Sequence, residues 1–500
     1  MKTFIALFLL NSFPGISAAV SNPFDGVDPA TVRCDAEYLN DAGAQASDRW
    51  AAAGAEWALE TTNLDWGWYQ GSADGDRLGY SEFVGNAFNS KDLMICQNMG
   101  DGPCQSTVTC SEVNRPAGFL ILNSFVSLHV MHRNVWEGLG SAMNEMQNSM
   151  SLFQQTFSPA ATPPKSSGWL SDLITVFQFA VGIGSAYIWN IAIKEAQLIS
   201  NAGYHAVAQE SANGAIGMAF TIGKNHLPTA TAPEIQNDLT LSMGILFEAW
   251  LDAETDFLNQ LFSGTTEALV ILQGLVKDGI SLELTRHLDL GTFVEEAQKI
   301  VYSQLVPIAW KASSKQEKKW PYKMQPMILM EPADCVISGD ELPDYISWDN
   351  AANMSVCYDG HTFFLGFPTW KGEVGDFYPL PGGTNGELDG KKWGGLTIED
   401  MVISAYEGWR LNGGKMGYEI PDNSKVIDGA GTEGGLILEN GIRTPSFINL
   451  PICTRRRSRA AVEEFIEKDA IRMILPGDDL GDMPCGDGSL MEDEMGDWGF

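Results

Sequence analysis

Histidines and carboxylates are the side chains of this 500-residue sequence that could do chemistry, but their spacing does not assemble a catalytic site. His129 and His132 stand three residues apart on one predicted helical face, a spacing that can hold a metal ion. No third ligand accompanies them, and the apolar helix around them favours structural histidines. Glu295 and Glu296 form a carboxylate pair with neither a partner nor a cleft, so a glycosidase is neither supported nor excluded.

No known catalytic motif accompanies these residues. The sequence contains no GxSxG elbow, no HExxH, no Walker loop and no GxGxxG that follows a strand and opens a helix. GSADGDRLGYSE begins like a calcium loop, but no acid stands at the twelfth position counted from Asp74. His361, alone in a glycine-rich region, is expected to be an ordinary core or surface histidine. The sequence therefore predicts no catalytic residue, no metal and no cofactor, and favours a non-enzymatic protein without excluding an enzyme.

The cysteines indicate disulfides in an oxidising compartment, because their number is even and no CxxC zinc pair is present. Four precede residue 111 and four follow residue 334, so pairing within each group leaves nine connectivities open. The eight are Cys34, Cys96, Cys104, Cys110, Cys335, Cys357, Cys453 and Cys485. A single sequon, Asn353-Met354-Ser355, predicts an N-linked glycan at Asn353.

Residues 1–19 have the three parts of a secretory signal peptide. Lys2 is the basic start, a short apolar stretch follows, and Ser17, Ala18 and Ala19 are small residues that signal peptidase accepts. The sequence therefore predicts a secreted, extracellular protein.

The charge balance narrows the choice of partner. Lys and Arg total 31 against 64 Asp and Glu, a formal net charge of -33 at pH 7. This field repels the phosphates of nucleic acid and disfavours anionic lipid at neutral pH. Nucleic acid is therefore not expected as a partner.

Changes in composition divide the chain into five segments. We predict a signal peptide at 1–19, a cysteine-bearing N-terminal region at 20–115, a helical module at 116–320, a Gly/Trp-rich disulfide domain at 321–475 and an acidic tail at 476–500. Helical periodicity dominates, which predicts a predominantly α-helical α+β fold. Its parts are a central helical bundle with an apolar hairpin and a smaller Gly/Trp-rich, disulfide-bonded C-terminal domain.

Two patterns before residue 160 predict a buried face and a helix start. In DRWAAAGAEWALE the spacing places Trp50, Ala53 and Trp57 on one helical face, which is expected to be core. Pro116 is well placed at the first position of one or two long helices. The proline-rich SPAATPPKSSG ends this helical stretch.

Two helices and a basic run are predicted in the C-terminal region. Thr397 and Asp400 have nearly the spacing of a capping box, which predicts a helix over 397–411. A second helix is predicted over 459–475. The basic run TRRRSRAA is interpreted as a processing site or, alternatively, as a partner for the acidic surface or tail; its residues are Arg455, Arg456 and Arg459.

Aromatic residues among the glycines of this region are candidates for a sugar-binding surface. Trp370, Tyr378 and Trp393 could stack on sugar rings, and glycine lets a backbone approach a ligand closely. Trp409 lies in the same segment. The alternative, and the commoner arrangement, is that these side chains fill the core of a small disulfide-stapled domain.

Residues 173–193 form an uncharged stretch about 31 Å long as a helix, close to the hydrocarbon thickness of about 30 Å. We interpret it as a buried core helix. The alternatives are a hairpin with 214–223 that inserts under a trigger such as low pH, and a permanent span. The membrane-active candidates are Leu173, Phe177, Gly182, Ala186, Trp189 and Ile193.

The C-terminal region resembles a family of fungal secreted proteins of unknown function. The residues that carry the resemblance are FLGFPTWKGEVGDFYPLPGGTNGELDGKKWGGLTIEDMVISAYEGWRLNGGKMGYEIPD and FINLPICT. Similar segments accompany some large secreted fungal chitinases with toxin-like architecture, although the acidic DxxDxDxE-type catalytic motif is absent here. The resemblance is loose over 116–453 and closer over 364–422. It implies a fungal extracellular protein and transfers no catalytic residue.

Two functions fit these observations. The first is a secreted, non-enzymatic effector or toxin-like protein that acts on a surface component or membrane lipid of a host or neighbouring cell through its apolar hairpin. The second is a cell-wall or carbohydrate-binding protein, a glycoside hydrolase included, that meets polysaccharide with its C-terminal aromatics. The sequence leaves the ligand and the oligomeric state open.

Overall fold

The computed structural model describes residues 32–34, 39, 45–71, 78–100, 102, 104–158, 214–215, 218, 221–222, 239–286, 290–314, 326–331, 335, 346–371, 374–415, 417–418 and 441–454. These residues form mainly helices, together with one small sheet. The predicted class, a predominantly α-helical α+β fold, is therefore confirmed.

Three helices lie in the N-terminal part of the described chain: α1 (Ala46–Ala52), α2 (Ala55–Gly71) and α3 (Tyr80–Ala87). Gly54 has a φ of 62° and separates α1 from α2. This left-handed residue redirects the chain, so that Trp50 is buried whereas Trp57 is 63% exposed. The prediction that both tryptophans lie in the core is wrong for Trp57, because a shared helical face requires one unbroken helix.

One long helix, α4 (Pro116–Phe157), runs through the centre of the fold. It has 42 residues, which is about 63 Å at the usual rise per residue. Pro116 occupies the first turn, where its missing N–H leaves no hydrogen bond unmade. The helix is buried along most of its length, so it forms the axis on which the other helices pack.

The partners of α4 are α5 (Leu239–Leu261), α6 (Thr266–Val276) and α7 (Leu290–Ser314). A 3₁₀ segment, Lys277–Arg286, joins α6 to the region before α7 and contains two left-handed residues, Asp278 and Gly279. Of the second apolar segment, 214–223, the described residues Ala215 and Ile222 are buried in the same core. None of the helices within the described ranges is long and apolar enough to cross a membrane.

Asp278 makes the stability of this helical region depend on pH. Burial, assisted by Glu56, raises the pKa of its carboxyl from 3.8 to about 6. Among the described residues its Oδ2 has no hydrogen-bond partner. Because the pKa is higher in the folded state than in the unfolded state, the folded protein holds the proton more tightly. The stability that this provides is complete below about pH 4 and is lost as the pH rises through about 6.

We therefore expect Asp278→Asn to be more stable than the wild type at pH 8, by about 1–3 kcal/mol, and equal to it at pH 4. Asn suits the positive φ of 56° at this position. Urea unfolding at the two pH values measures the difference, with the exposed Asp92→Asn as the control. A gain at pH 4, or none at pH 8, would contradict the assignment.

The sheet has five strands: β1 (Met327–Glu331), β2 (Ser355–Tyr358), β3 (His361–Lys371), β4 (Val374–Pro379) and β5 (Ile452–Thr454). Their order is β2-β3-β1-β5, and β4 also pairs with β3. The β1–β5 pair is parallel, whereas the pairs that β3 makes with β1, β2 and β4 are antiparallel.

Alternate strand residues point to opposite faces of the sheet, and both faces pack against other parts of the chain. Phe364 and Phe377 face a small cluster that includes Met354 of α8 (Trp348–Met354). Phe363 and Leu365 instead join the main core, which also takes in α4, α5 and α7. One hydrophobic core therefore combines residues from the predicted N-terminal, helical and C-terminal segments.

The Gly/Trp loop, Trp393–Gly395, docks the C-terminal part onto the helices. Trp393 is only 6% exposed, and its ring meets three others edge-on at 5.1–5.7 Å: those of Phe153, Phe157 and Tyr302. Its indole N–H donates to Glu387 over 3.1 Å. The prediction that Trp393 could stack on sugar rings is therefore wrong, because its ring is a core side chain with no face available to a ligand.

Helix α9 (Ile398–Leu411) begins at the capping box that the sequence suggested. The Asp400 backbone N–H donates to the Thr397 hydroxyl, and the Thr397 N–H donates to the Asp400 carboxylate, both over 3.1 Å. Asp400 also meets Arg443 Nε at 2.6 Å and Lys299 Nζ at 3.2 Å. One buried carboxylate thus ties α9 to α7 and to the 3₁₀ turn Gly441–Arg443.

Three disulfides lie within the described residues. Cys34 is bonded to Cys110 and Cys96 to Cys104 in the N-terminal part, whereas Cys335 is bonded to Cys357 beside the sheet. Each bond joins cysteines of one sequence group. Cys453 is also disulfide-bonded, and Cys485 lies outside the described residues.

Candidate functional site

The hairpin between β2 and β3 places several polar and aromatic side chains at one end of the sheet. Asp359 and Gly360 form its two-residue turn with φ values of 48° and 74°. Positive φ at both positions is typical of the type I′ turn, which Asp-Gly favours. Tyr358 and His361 are directly paired across the hairpin, so both side chains lie on the sheet face that packs against α9.

Two reciprocal hydrogen bonds join this hairpin to α9. The hydroxyl of Tyr358 donates to Glu407 Oε1 over 3.0 Å, from the hairpin to the helix. The hydroxyl of Tyr406 donates to Asp359 Oδ2 over 3.1 Å, from the helix to the hairpin. Each carboxylate is therefore held in place by a tyrosine of the opposite element.

Aromatic rings fill the space between the two elements. The buried ring of Tyr406 lies 5.9 Å from Tyr358, 6.1 Å from His361 and 6.0 Å from Trp409. Trp409 and Tyr358 are half-buried, so part of each ring reaches solvent. We call the set Tyr358, Asp359, His361, Tyr406, Glu407, Trp409 and Arg410 the hairpin–helix cluster.

The same contacts shift the pKa values of Arg410, Tyr358 and Tyr406. Arg410 donates to Glu407 Oε2 from Nε at 3.1 Å and from Nη2 at 2.6 Å, and this bond raises the pKa of the guanidinium. Burial, together with the adjacent carboxylates, raises the pKa of Tyr358 and of Tyr406. Both phenols therefore stay protonated at physiological pH and keep donating to Asp359 and Glu407.

This arrangement is suited to binding. Asp359 and Arg410 are exposed beside the half-buried aromatic rings, so hydrogen-bonding groups and apolar surface adjoin. Within the described residues, no three His, Cys, Asp or Glu side chains gather as a metal site would need. Asp359 accepts a tyrosine bond at one oxygen, so its carboxylate has acceptor sites left for ligand hydroxyl groups. Glu407 also accepts two bonds from Arg410, which leaves it about one further acceptor site.

In a second pair of carboxylates, Glu296 and Asp400, the pKa values are shifted in opposite directions, but Asp400 is buried. Burial raises the pKa of Glu296, and Asp400 adds to this effect. Burial alone would raise the pKa of Asp400, but Lys299 and Arg443 bring it below its usual value. Such a divergence is typical of acid–base catalysts. However, the Asp400 side chain is 2% exposed and its oxygens bind the cap and both cations, which makes Asp400 a structural residue. Glu295, the other member of the sequence pair, is exposed.

The two histidines of the predicted i, i+3 face are both buried in α4. His129 Nδ1 lies 2.9 Å from the Cys96 carbonyl oxygen, and His132 Nδ1 lies 2.5 Å from Glu254 Oε1. Burial lowers the pKa of His129, which favours its neutral form. These contacts hold α4 to the disulfide-bonded loop and to α5, as structural histidines do.

Of the remaining predicted site residues, Tyr378 and Asn353 are exposed, Trp370 is placed by its strand pairing, and the others lie outside the described residues. Tyr378 of β4 is 40% exposed, and Trp370 of β3 is paired with Gly375 of β4. Asn353 is exposed at the end of α8, where its Nδ2 donates to the Asp349 carbonyl over 2.9 Å. Outside the described residues lie Leu173, Phe177, Gly182, Ala186, Trp189, Ile193, Arg455, Arg456 and Arg459.

Sequence reasoning did not identify most of the hairpin–helix cluster. In the sequence, Trp409 and His361 are separate candidates, and no functional motif includes Tyr358, Asp359 or Glu407. The one available signal was YDGH, because Asp-Gly between strand-forming residues predicts a tight hairpin. That signal places Tyr358 opposite His361, but it does not show that α9 packs over them.

Two fungal proteins of Penicillium expansum are similar to this chain. The chain is 23% identical over 428 residues to the protein named "Probable chitinase LysM18". The matched region covers 75% of this chain and 28% of that protein. The chain is 24% identical over 496 residues to "Secreted chitinase LysM12", covering 88% of this chain and 32% of that protein. The chain thus spans about a third of the length of these curated relatives. No family model matches the sequence, and no solved structure matches it.

Proposed function

We propose that this chain is a secreted cell-wall protein that binds a neutral polysaccharide of the chitin type through the hairpin–helix cluster. The observation that carries the proposal is the half-buried rings of Tyr358 and Trp409 beside the fixed carboxylates of Asp359 and Glu407. Sugar rings offer C–H groups to aromatic faces and hydroxyl groups to carboxylates. A site that combines both suits a carbohydrate better than a purely apolar or purely charged ligand.

Preorganisation supports this assignment. The carboxylates of Asp359 and Glu407 are already oriented by tyrosine hydroxyls, and Arg410 is already bound to Glu407. A ligand therefore does not have to immobilise these side chains, which lowers the entropic cost of binding. The net charge of -33 favours an uncharged polymer over a polyanion.

The names of the relatives support chitin as the first ligand to test and an extracellular location. Both relatives are named chitinases, and one is named secreted. The three disulfides fit an oxidising, extracellular compartment, as does the signal peptide predicted at 1–19. The proposal is limited to binding, because the chain spans only about a third of either relative.

Co-sedimentation of the full chain with insoluble chitin, and with cellulose for comparison, tests the proposal. We expect the wild type to bind chitin and Trp409→Ala to weaken binding at least tenfold, because the ring would no longer meet the sugar. Glu407→Gln removes one charge and is expected to weaken binding several-fold. Leu411→Ala is the control, since it removes an exposed apolar side chain from the same helix, outside the hairpin–helix cluster.

Thermal unfolding of each variant separates loss of the site from loss of the fold. If Trp409→Ala unfolds like the wild type and binds chitin equally well, the hairpin–helix cluster is not the binding site. If the wild type binds neither polysaccharide, the proposed function is wrong. The membrane-active effector inferred from 173–193 stays a prediction, because those residues lie outside the described ranges.

A further inference from the structure

Helix α2 presents a row of large apolar side chains to solvent. Trp57, Leu64 and Trp68 are 63%, 69% and 82% exposed. Their spacing of seven and four residues places them on one face of the helix. The two tryptophans are separated by about 16 Å along the helix axis. We call these three residues the α2 tryptophan face.

The opposite side of α2 is firmly packed. Trp66 is buried, and its indole N–H donates to the Gly264 carbonyl over 2.8 Å. Its ring lies 5.3–5.7 Å from those of Tyr69, Tyr80 and Phe83. Trp66 therefore anchors α2 on the fold, whereas the exposed Trp57 and Trp68 do not take part in this packing.

The surroundings of Trp68 leave its ring accessible. Gly67 and Gly71 flank it, and a Cβ atom at either position would meet no heavy atom within 4 Å. Thr61 and the exposed carboxylates of Glu60 and Asp65 lie along the same outer side of the helix. Hydrogen-bonding groups thus border the aromatic row.

Charge restricts what can cover this face. The charged side chains of α2 are Glu56, Glu60 and Asp65, so the helix carries three acids and no base. Anionic lipid and nucleic acid would be repelled. A second copy of the chain would bring like charges together, which makes self-association through this face unfavourable.

The size of the face also argues against a protein partner. A tryptophan side chain contributes about 150–250 Å², so the two exposed rings offer about 300 Å² of apolar surface. A stable protein interface takes about 800 Å² from each partner. A narrow row of this size matches a single linear polymer chain.

We infer that the α2 tryptophan face is a second polysaccharide-binding surface, on which a neutral glycan chain lies along the helix. The inference rests on the proposed function, because it assigns a further contact to the same class of ligand. Trp57 and Trp68 stack on sugar rings at two points of one chain, and Glu60 and Asp65 accept hydroxyl groups at its side. Two surfaces that engage one insoluble polymer raise the apparent affinity through effective concentration.

The test uses the full chain with Trp57→Ala and Trp68→Ala combined, in co-sedimentation with chitin and cellulose. We expect the double variant to lose at least tenfold in apparent affinity for the polysaccharide that the wild type binds. A second pair, Trp57→Tyr with Trp68→Tyr, keeps aromatic faces and is expected to retain most of the binding. Trp348→Ala, which removes a 52% exposed tryptophan from α8, is the matched control and should bind like the wild type.

The outcomes distinguish this inference from the proposed function. If the wild type binds and the double variant binds equally well, the α2 tryptophan face is not a glycan surface, whereas the hairpin–helix cluster remains a candidate. If the wild type binds no polysaccharide, both are wrong. Flotation with zwitterionic vesicles, or a concentration-dependent dimer, that the double variant abolishes would also overturn the inference in favour of a lipid or a second copy. Because both tryptophans are exposed, the unfolding midpoint should not change.

Discussion

Replacing Trp393 with alanine is expected to destabilise the protein by about 3–5 kcal/mol, the range for truncation of a fully buried tryptophan. The ring meets Phe153 and Phe157 of α4 and Tyr302 of α7, so its removal opens a cavity between the C-terminal part and the helices. It also leaves Glu387 without the indole N–H that it accepts at 3.1 Å. Urea unfolding at pH 7 measures the loss.

This substitution also separates the two interpretations that the sequence allowed for Trp393. A tryptophan that stacks on sugar could be removed at little cost to stability, as we expect for Trp348→Ala at an exposed site. Trp393→Phe keeps a ring in the aromatic cluster and loses only part of the buried volume and the bond to Glu387, so it should cost much less than Trp393→Ala. A fully stable Trp393→Ala protein would contradict the core assignment.

Gly394→Ala is expected to destabilise the protein by about 2–4 kcal/mol. A Cβ atom at this position would lie 2.7 Å from the Lys299 Cα and closer still to the Lys299 backbone nitrogen. These are backbone atoms of α7, which cannot turn aside as a flexible side chain can. Overpacking of this kind costs about 1–3 kcal/mol, and the φ of 65° adds about 1 kcal/mol for a residue with a side chain.

Two neighbouring glycines are controls for the separate terms. Gly395 has a φ of 77°, but a Cβ atom there would meet only an ordinary contact at 3.5 Å. Gly395→Ala should therefore show the cost of the backbone conformation alone. Gly386 has open space around it, so Gly386→Ala should be nearly neutral. If Gly394→Ala and Gly395→Ala lose the same stability in thermal and urea unfolding, the close approach to α7 is not what requires Gly394.

The helix caps and the tight hairpin show how far local sequence determines local structure. Thr397 and Asp400 bind each other's backbone N–H groups within one turn, so their spacing alone predicts the start of α9. Asp-Gly at 359–360 likewise favours one turn geometry whatever surrounds it. The exposure of Trp57 shows the limit of such reasoning. The left-handed residue Gly54 separates two helices, so Trp50 and Trp57 do not lie on one helical face.

The candidate site depended on contacts between residues far apart in the sequence. Tyr358 and Glu407 are 49 residues apart, and Tyr406 and Asp359 are 47 apart. Neither pair has a periodicity that a sequence could reveal, since their meeting requires α9 to cross the β2–β3 hairpin. The same holds for Trp393, whose ring partners come from two distant helices.

The sequence by itself determined the predominantly helical class, the long helix that begins at Pro116, the α9 cap and the acidic charge that disfavours nucleic acid. These properties follow from composition and from interactions within a few residues. Only the tertiary structure decided which tryptophans are buried and which carboxylates meet tyrosines. Burial and pairing are set by how distant elements pack, so Trp393 became core while Trp57 and Trp68 remained on the surface.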